Sequence, residues 1–397
     1  MKEFEKFHSR KDESASKWLL MEQKAKFPIE DVVPMSVADM DFEPAKEIKE
    51  GLKEYVDATI LGYTRPSDSY FLAVSNYYKK RFNLDVNKDE IIPIMGVVSG
   101  LFTAVRTVAK PGEGVIVFPP VYPNFYHAIN MTGRKEIRCP LIYEDKEYYI
   151  DFELFEELAK EENNKALILC SPHNPSGRIW TDQDLLRVLE ICHKYDLYLI
   201  SDEIHADLVL YDNEIKTILN LAKDQEKIIV FSSASKSYNI AGLQTANTLI
   251  KNKNLRKAFG QELEKMGFHW PNMMGLKATE LAYNHGKYWL DEALKVIEGN
   301  FKISKDFFES YQGLFDFYDS QSTYLAWVGF EKLAKKYRLS AEEFYQFLDD
   351  SLFFVNPGNF FGKESEYFIR INLALPRHKY EENIARLREK LKERFDI

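Results

Sequence analysis

Cysteine is scarce in this chain: Cys139, Cys170 and Cys192 are its three, and no two form a CxxC pair. So sparse and odd a set excludes a disulfide framework and a zinc ribbon, and it implies reduced thiols in a cytoplasmic protein. Cys170 ends an apolar run and reads as a buried structural thiol. Long apolar runs are missing too, which excludes a membrane-spanning helix. The opening stretch, MKEFEKFHSRKDES, is charged and lacks the apolar centre of a secretory signal. Positive charge is in deficit, with 53 Lys and Arg against 62 Asp and Glu and a net charge of −9, which argues against a nucleic-acid partner. Lys251, Lys253, Arg256 and Lys257 come nearest to a basic cluster and read as a solvated helix face. There is no GxGxxG, no P-loop, no internal repeat and no low-complexity linker. No two of the eight histidines are spaced as ligands on one helical turn, so no metal is implied.

What the chain does have is an alternation of short apolar runs with helix-period segments. IIPIM (91–95), GVIVF (114–118), ALILC (166–170), LYLIS (197–201) and KIIVF (227–231) are β-rich and almost free of polar residues. Such runs fit strands buried on both faces of a largely parallel sheet. Between them lie segments such as LLRVLEICHKY (185–195), with apolar residues at helical spacing. The pattern predicts a doubly wound α/β domain over about 48–288. After Trp289 the texture changes to a long amphipathic stretch, then YLAWVGF (324–330), a helix near AEEFYQFLDD, strands around FFVN and YFIRIN, and a closing helix. This predicts a smaller α+β domain formed by 289–397 together with 1–47.

Three segments sit at the ends of apolar strands, where open α/β sheets place their ligands: SPHNPSG (171–177), SDEIH (201–205) and SSASKSYN (232–239). Lys236 has little packing value in such a position. Its plain reading alone is a surface lysine. Its combination with Asp202 matches what pyridoxal phosphate requires: a lysine for an imine and a carboxylate for the pyridine nitrogen. A protonated ring nitrogen lets the cofactor draw electrons from the substrate's Cα. Asn174 is suitably placed to donate to the ring oxygen, and Tyr122 to cover the ring face. In the turn MGVVSG, the amides of Gly96, Val97 and Val98 precede a helix and suit a phosphate, with Ser233 and Ser235 adding hydroxyls. Each residue also has a plainer role: Asp202 as a cap, Asn174 in an Asn-Pro turn, Tyr122 in a core, Arg370 in a surface ion pair, His205 as structural.

The segments PMSVADMDFEPA (34–45), GYTRPSDSY (62–70), PPVYPNFY (119–126), SPHNPSGRIWT (171–181), SDEIHADLV (201–209), SKSYNIAGLQ (235–244), STYLAW (322–327) and FIRINLALPR (368–377) carry a family resemblance nearly end to end. The chain resembles fold-type I pyridoxal-phosphate enzymes of the aminotransferase class I/II group, and within them the MalY/PatB-type cystathionine β-lyases, or cysteine-S-conjugate β-lyases. VADMDF, SDEIH and SKSYNIAGLQ together point to that branch. The resemblance implies a mostly parallel seven-stranded sheet with a smaller α+β domain. It makes Lys236 the cofactor lysine and the acid–base group for the Cα proton, Asp202 the pyridinium partner, Asn174 the ring-oxygen donor and Tyr122 the stacked ring. Val97, Val98, Ser233 and Ser235 would hold the phosphate, joined by Tyr63 of a partner subunit, so that a homodimer is implied. Arg370 would clamp the substrate carboxylate as a planar bidentate pair.

The implied reaction is β-elimination from L-cystathionine or another cysteine S-conjugate, giving a thiol such as homocysteine, pyruvate and ammonia. An aminotransferase on the same fold is the alternative, and a partner-binding regulator the third reading. The pathway, methionine synthesis or sulfur-compound breakdown, stays open. Departures from the family pattern fall at Gln244, where many aminotransferases have a phosphate-binding arginine, at Ser36, where many relatives carry tryptophan, and in HWPNMMG (269–275). Gln244 fits the lyase branch and leaves the phosphate with less charge pairing, while Ser36 and the 269–275 segment predict an altered substrate pocket.

Overall fold

The computed structural model describes residues 2–26, 32–223 and 226–397. Its larger half contains β1 (Ile91–Ile94), β2 (Gly114–Val117), β3 (Lys135–Arg138), a hairpin of β4 (Ile142–Glu144) and β5 (Glu147–Tyr149), β6 (Asn164–Cys170), β7 (Tyr198–Asp202), β8 (Ile228–Ser232) and β9 (Ala246–Leu249). All but the hairpin form one seven-stranded sheet in the order β1-β9-β8-β7-β6-β2-β3. The run from β8 to β3 is parallel throughout, and β9 lies antiparallel to both β8 and β1.

The apolar runs predict the central strands because both faces of the sheet are covered. In β8, Ile228 and Val230 join one core while Ile229 and Phe231 join the other. β6 divides likewise, with Leu167 and Leu169 on one side and Ala166 and Ile168 on the other. Two strands lack this signature. β3, KEIR, is a half-exposed edge, and β9, ANTL, is buried but carries Asn247 and Thr248.

The smaller sheet comprises β10 (Asp316–Phe317), β11 (Leu325–Gly329), β12 (Asn356–Pro357) and β13 (Phe368–Asn372), antiparallel in the order β10-β11-β13-β12. Near FFVN the pairing begins only at Asn356, while Phe353 and Phe354 are buried as core side chains. A third core joins this sheet to the helix Lys287–Glu309 and to Phe4, Trp18, Met35, Met40 and Phe42. The N-terminal segment thus packs with the C-terminal part of the chain. No helix of the described residues is long and apolar enough to cross a membrane.

Candidate active site

A cavity of about 440 Å³ opens where the two halves meet, beyond the C-terminal ends of β6 and β7 and the turn after β1. Its wall includes Lys236, Asp202, Asn174, Tyr122, Arg370 and the start of the helix Gly96–Val108. Residues far apart in sequence meet because each follows a neighbouring strand or, for Arg370, lies on β13.

Lys236 sits in the short helix Ala234–Ser237 directly after β8. Its Nζ donates to the carbonyl of Ala38 at 2.6 Å. Burial pulls its pKa down to about 8, opposed by Asp39 and Asp202 and assisted by Arg370. Asp202 ends β7, is buried, and accepts from the Ile204 amide at 3.2 Å. Burial pushes its carboxyl up to about 7, against the Ile204 bond and Lys236. A buried carboxyl held at the edge of ionisation is primed for a cationic partner.

Arg370 is buried, with Nη1 donating to Asn174 Oδ1 at 2.9 Å and Nη2 to Asn356 Oδ1 at 2.8 Å. Nη2 also reaches the Ser36 carbonyl at 3.3 Å, and the guanidinium lies 4.6 Å from the centre of the Phe361 ring. No carboxylate of the chain pairs with it among the described residues, and its Nε has no partner. His205 on the cavity wall presents a second orphan, its buried Nδ1. Burial, with Lys236 and Arg370 adding to it, drives this imidazole down to about 3, so it is neutral. Two buried nitrogens without partners on one wall mark a place for a polar ligand.

Gly96 opens its helix at φ +74°, and a Cβ there would meet nothing within 4 Å. The first amides of this helix have no intrahelical acceptor and border the cavity, an arrangement suited to an anion. Val97 and Val98 both line it, Val97 buried and Val98 more exposed. Ser235 lines it as well. Ser233 does not reach the wall: its hydroxyl donates to the Thr245 carbonyl at 2.6 Å and accepts from the Ser235 amide at 3.0 Å. Tyr63 also stays outside; it is fully solvent-exposed in the single chain, beside exposed Ile60 and Leu61.

The matching family model, aminotransferase class I and II, covers residues 30–387. The chain belongs to this family. It is 36% identical to the cystathionine beta-lyase PatB of Bacillus subtilis over 92% of this chain and 94% of that protein. It is 28% identical to the protein MalY of Escherichia coli over 91% of this chain and 92% of that one. Among solved structures, cystalysin from Treponema denticola, which contains a pyridoxal 5′-phosphate cofactor, superposes with a TM-score of 0.95 at 39% identity, covering 98% of each chain. These likenesses place the chain in the MalY/PatB branch, with the fold-type I architecture.

Within this family frame, the departures acquire locations. Gln244 lines the cavity in a left-handed turn at φ 44°. Ser36 is buried and offers its carbonyl to Arg370. The segment 269–275 does not line the cavity; its Asn272 caps the helix Met273–His285 and donates to the carbonyl of Leu243, the neighbour of Gln244, at 2.7 Å. Sequence reasoning passed over Ala38, Asn124, His127 and Asn356 on the wall, and left His205 out of the site. Ala38 and Asn356 had no signal to offer, since a backbone carbonyl and a lone amide become meaningful only when folded. His205 did have one, standing in SDEIH three positions beyond Asp202.

Proposed function

We propose that the chain is a pyridoxal-phosphate-dependent carbon–sulfur β-lyase. It would cleave L-cystathionine, or a related cysteine S-conjugate, with water to a thiol, pyruvate and ammonia; from L-cystathionine the thiol is homocysteine. The observation that carries this reading is the meeting of Lys236, Asp202 and Arg370 around one cavity with a helix N-terminus on its wall. The relatives' names, cystathionine beta-lyase and C–S lyase, support the lyase over the aminotransferase.

The residues fit the cofactor on two independent grounds: the unpartnered Nδ1 of His205 and Nε of Arg370, and the open helix start at Gly96. When bound, pyridoxal phosphate supplies an electron sink for the pair left behind as Cα loses its proton. Lys236 holds the cofactor, and its amine then carries the Cα proton. Asp202 keeps the ring nitrogen protonated, and Tyr122 covers the ring. Asn174, whose oxygen is already engaged by Arg370, turns its amide N–H₂ to the ring oxygen. The amides of Val97 and Val98 and the Ser235 hydroxyl take the phosphate, while Ser233 fixes Ser235 from behind. Arg370 clamps the substrate carboxylate, aligning the Cα–H bond for proton removal.

A homodimer completes the site. Tyr63, with Ile60 and Leu61, forms an exposed apolar tip that would be covered by a second copy, and Tyr63 would reach the phosphate there. Three buried free thiols accord with a cytoplasmic setting. The deciding test is an absorbance spectrum of the purified protein followed by addition of L-cystathionine. A band near ~420 nm from the lysine-bound cofactor, with pyruvate and thiol released in the absence of a keto acid, is the expected result. Turnover that requires a keto acid and yields no pyruvate makes the protein an aminotransferase instead, and no band after adding the cofactor overturns the role of Lys236.

A further inference from the structure

Tyr122, Asn124 and His127 line one wall of the cavity, on and just before the helix Asn124–Asn130. Asn124 and His127 are three residues apart, so they share a helix face. Asn124 Nδ2 donates to the Tyr122 phenol oxygen at 2.6 Å, and Asn124 Oδ1 lies 3.2 Å from His127 Nδ1. The two contacts determine each other. With its N–H₂ on the phenol, the Asn124 amide has only an acceptor left for the imidazole, so His127 Nδ1 carries the proton. The flipped amide would need His127 Nδ1 bare and would draw the phenol's own proton towards Asn124.

In the observed arrangement the Tyr122 oxygen is an acceptor from Asn124, and its O–H is left to point elsewhere. The phenol lines the same cavity as Asp202 and Arg370. Its wall is thus shared with the groups assigned to the cofactor ring and to the substrate carboxylate. Burial raises the phenol's pKa, so that the proton is present at neutral pH.

Resting on the lyase reading above, we propose that Asn124 and His127 are positioning residues that aim the Tyr122 O–H at the departing sulfur. As the Cβ–S bond breaks, its electron pair goes to sulfur, which takes the phenol proton and leaves as a neutral thiol. The phenolate regains a proton from water after the thiol has gone. The Cα proton, held by Lys236, is a separate proton.

The test compares two substrates and one signal independent of turnover. L-Cystathionine expels an alkyl thiolate, which needs a proton; β-chloro-L-alanine expels chloride, which does not. Asn124→Ala and His127→Ala are expected to lose at least about tenfold more kcat on L-cystathionine than on β-chloro-L-alanine, as loss of a general acid requires. His127→Gln, which retains an N–H donor, is expected to recover most of that difference. Equal losses on both substrates would show a merely structural role and overturn the proposal. In the loaded and the cofactor-free protein, 3-fluorotyrosine placed at position 122 reports its hydrogen bonding by ¹⁹F resonance. That resonance should move in Asn124→Ala and in His127→Ala and lie near the wild-type position in His127→Gln; an unmoved resonance in both alanine variants also overturns the proposal. If the wild-type protein makes no pyruvate from either substrate, the lyase reading fails and the acid role with it, while the fluorine signal still decides whether Asn124 and His127 position Tyr122.

Discussion

Lys236 rests its amine on the backbone carbonyl of Ala38, a residue 198 positions earlier in the chain. The same carbonyl accepts from the Tyr324 hydroxyl at 2.9 Å. Its neighbours are tied as firmly: Ser36 O to Arg370, Val37 O and Asp39 O to Asn372, Met40 O and Phe42 O to Asn239. The strap 36–42 therefore links the lysine to the arginine assigned to the substrate carboxylate. A neutral carbonyl offers the amine a hydrogen bond without a countercharge, and burial is left to depress its pKa.

That depression sets a pH dependence. With Lys236 lowered to about 8, roughly a tenth of the amine is free at pH 7. Covalent capture of pyridoxal phosphate by the cofactor-free protein should accelerate about tenfold per pH unit below that value and level off above it. Asp39 raises this pKa, so Asp39→Asn should move the midpoint lower. Stopped-flow absorbance at a series of pH values measures both; a midpoint near the ordinary lysine value would contradict the burial argument.

Asp202 offers the opposite sign. Its folded pKa of about 7 stands above the ordinary 3.8, so between those values the cofactor-free folded state holds a proton that the unfolded chain has released. Stability contributed by this group is complete below the lower value and is lost as pH rises through the upper one. Asp202→Asn, which cannot ionise, should make the cofactor-free protein more stable at pH 8 by a few kcal/mol while leaving pH 4 little changed. Denaturant titrations at the two pH values decide it. The same variant should bind the cofactor far more weakly, since the cationic ring nitrogen loses its partner.

Lys17 is completely buried, 2.6 Å from Asp41 and 3.2 Å from Asp39, and Arg10 adds a contact to Asp39 at 2.8 Å. Burial would raise Asp39, yet Lys17 and Arg10 hold it below its ordinary value, whereas in the more deeply buried Asp41 burial prevails and the pKa rises. Removing one member of a buried pair costs about 3–5 kcal/mol because the other is stranded. Lys17→Met should therefore lower unfolding stability by about 3 kcal/mol, and Lys17→Met with Asp41→Leu should recover much of it. Urea unfolding of both variants tests this; an additive double variant would show that the pair is not coupled.

Much of the site was legible in the sequence because it hangs on strand ends. The runs leading to Cys170, Asp202 and Ser232 predict strands, and in a parallel sheet their C-terminal ends lie side by side. Asn174, Asp202 and Lys236 follow from that alone as neighbours. What was illegible depends on contacts across the whole chain. Nothing in VADMD reveals that Ala38 offers a carbonyl to Lys236, and nothing in YPNFYH reveals that Asn124 bonds Tyr122. β9 escaped because Asn247 and Thr248 interrupt its apolar pattern; the Asn247 Oδ1 accepts from the Tyr70 hydroxyl at 2.8 Å.

Arg370 is buried, so the charge-assisted bonds it would give a substrate carboxylate are shielded from bulk solvent and its loss should be severe. Such bonds contribute about 1.5–3 kcal/mol each, and a bidentate clamp uses two. Arg370→Ala should reduce kcat/KM on L-cystathionine by about a hundredfold or more. Arg370→Lys should recover little, because an ammonium cannot form the planar fork or keep the bonds to both Asn174 and Asn356. Steady-state kinetics check this, and a fully active lysine variant would remove Arg370 from the carboxylate site.

The placement of Tyr63 yields a test that needs two inactive proteins. If each site combines Lys236 of one copy with Tyr63 of the other, Lys236→Ala and Tyr63→Ala proteins are each impaired. In a mixed dimer, one site carries both lesions and the second carries neither. Refolding or co-expressing the two variants in equal amounts makes half the dimers mixed, each with one intact site of two. Activity should then return to roughly a quarter of the wild-type value by the two-fold symmetry of such an assembly. Were Tyr63 to serve its own subunit's site, every site would retain a lesion and mixing would restore nothing. Since Tyr63 is exposed and lies outside the cavity wall of its own chain, the geometry favours recovery.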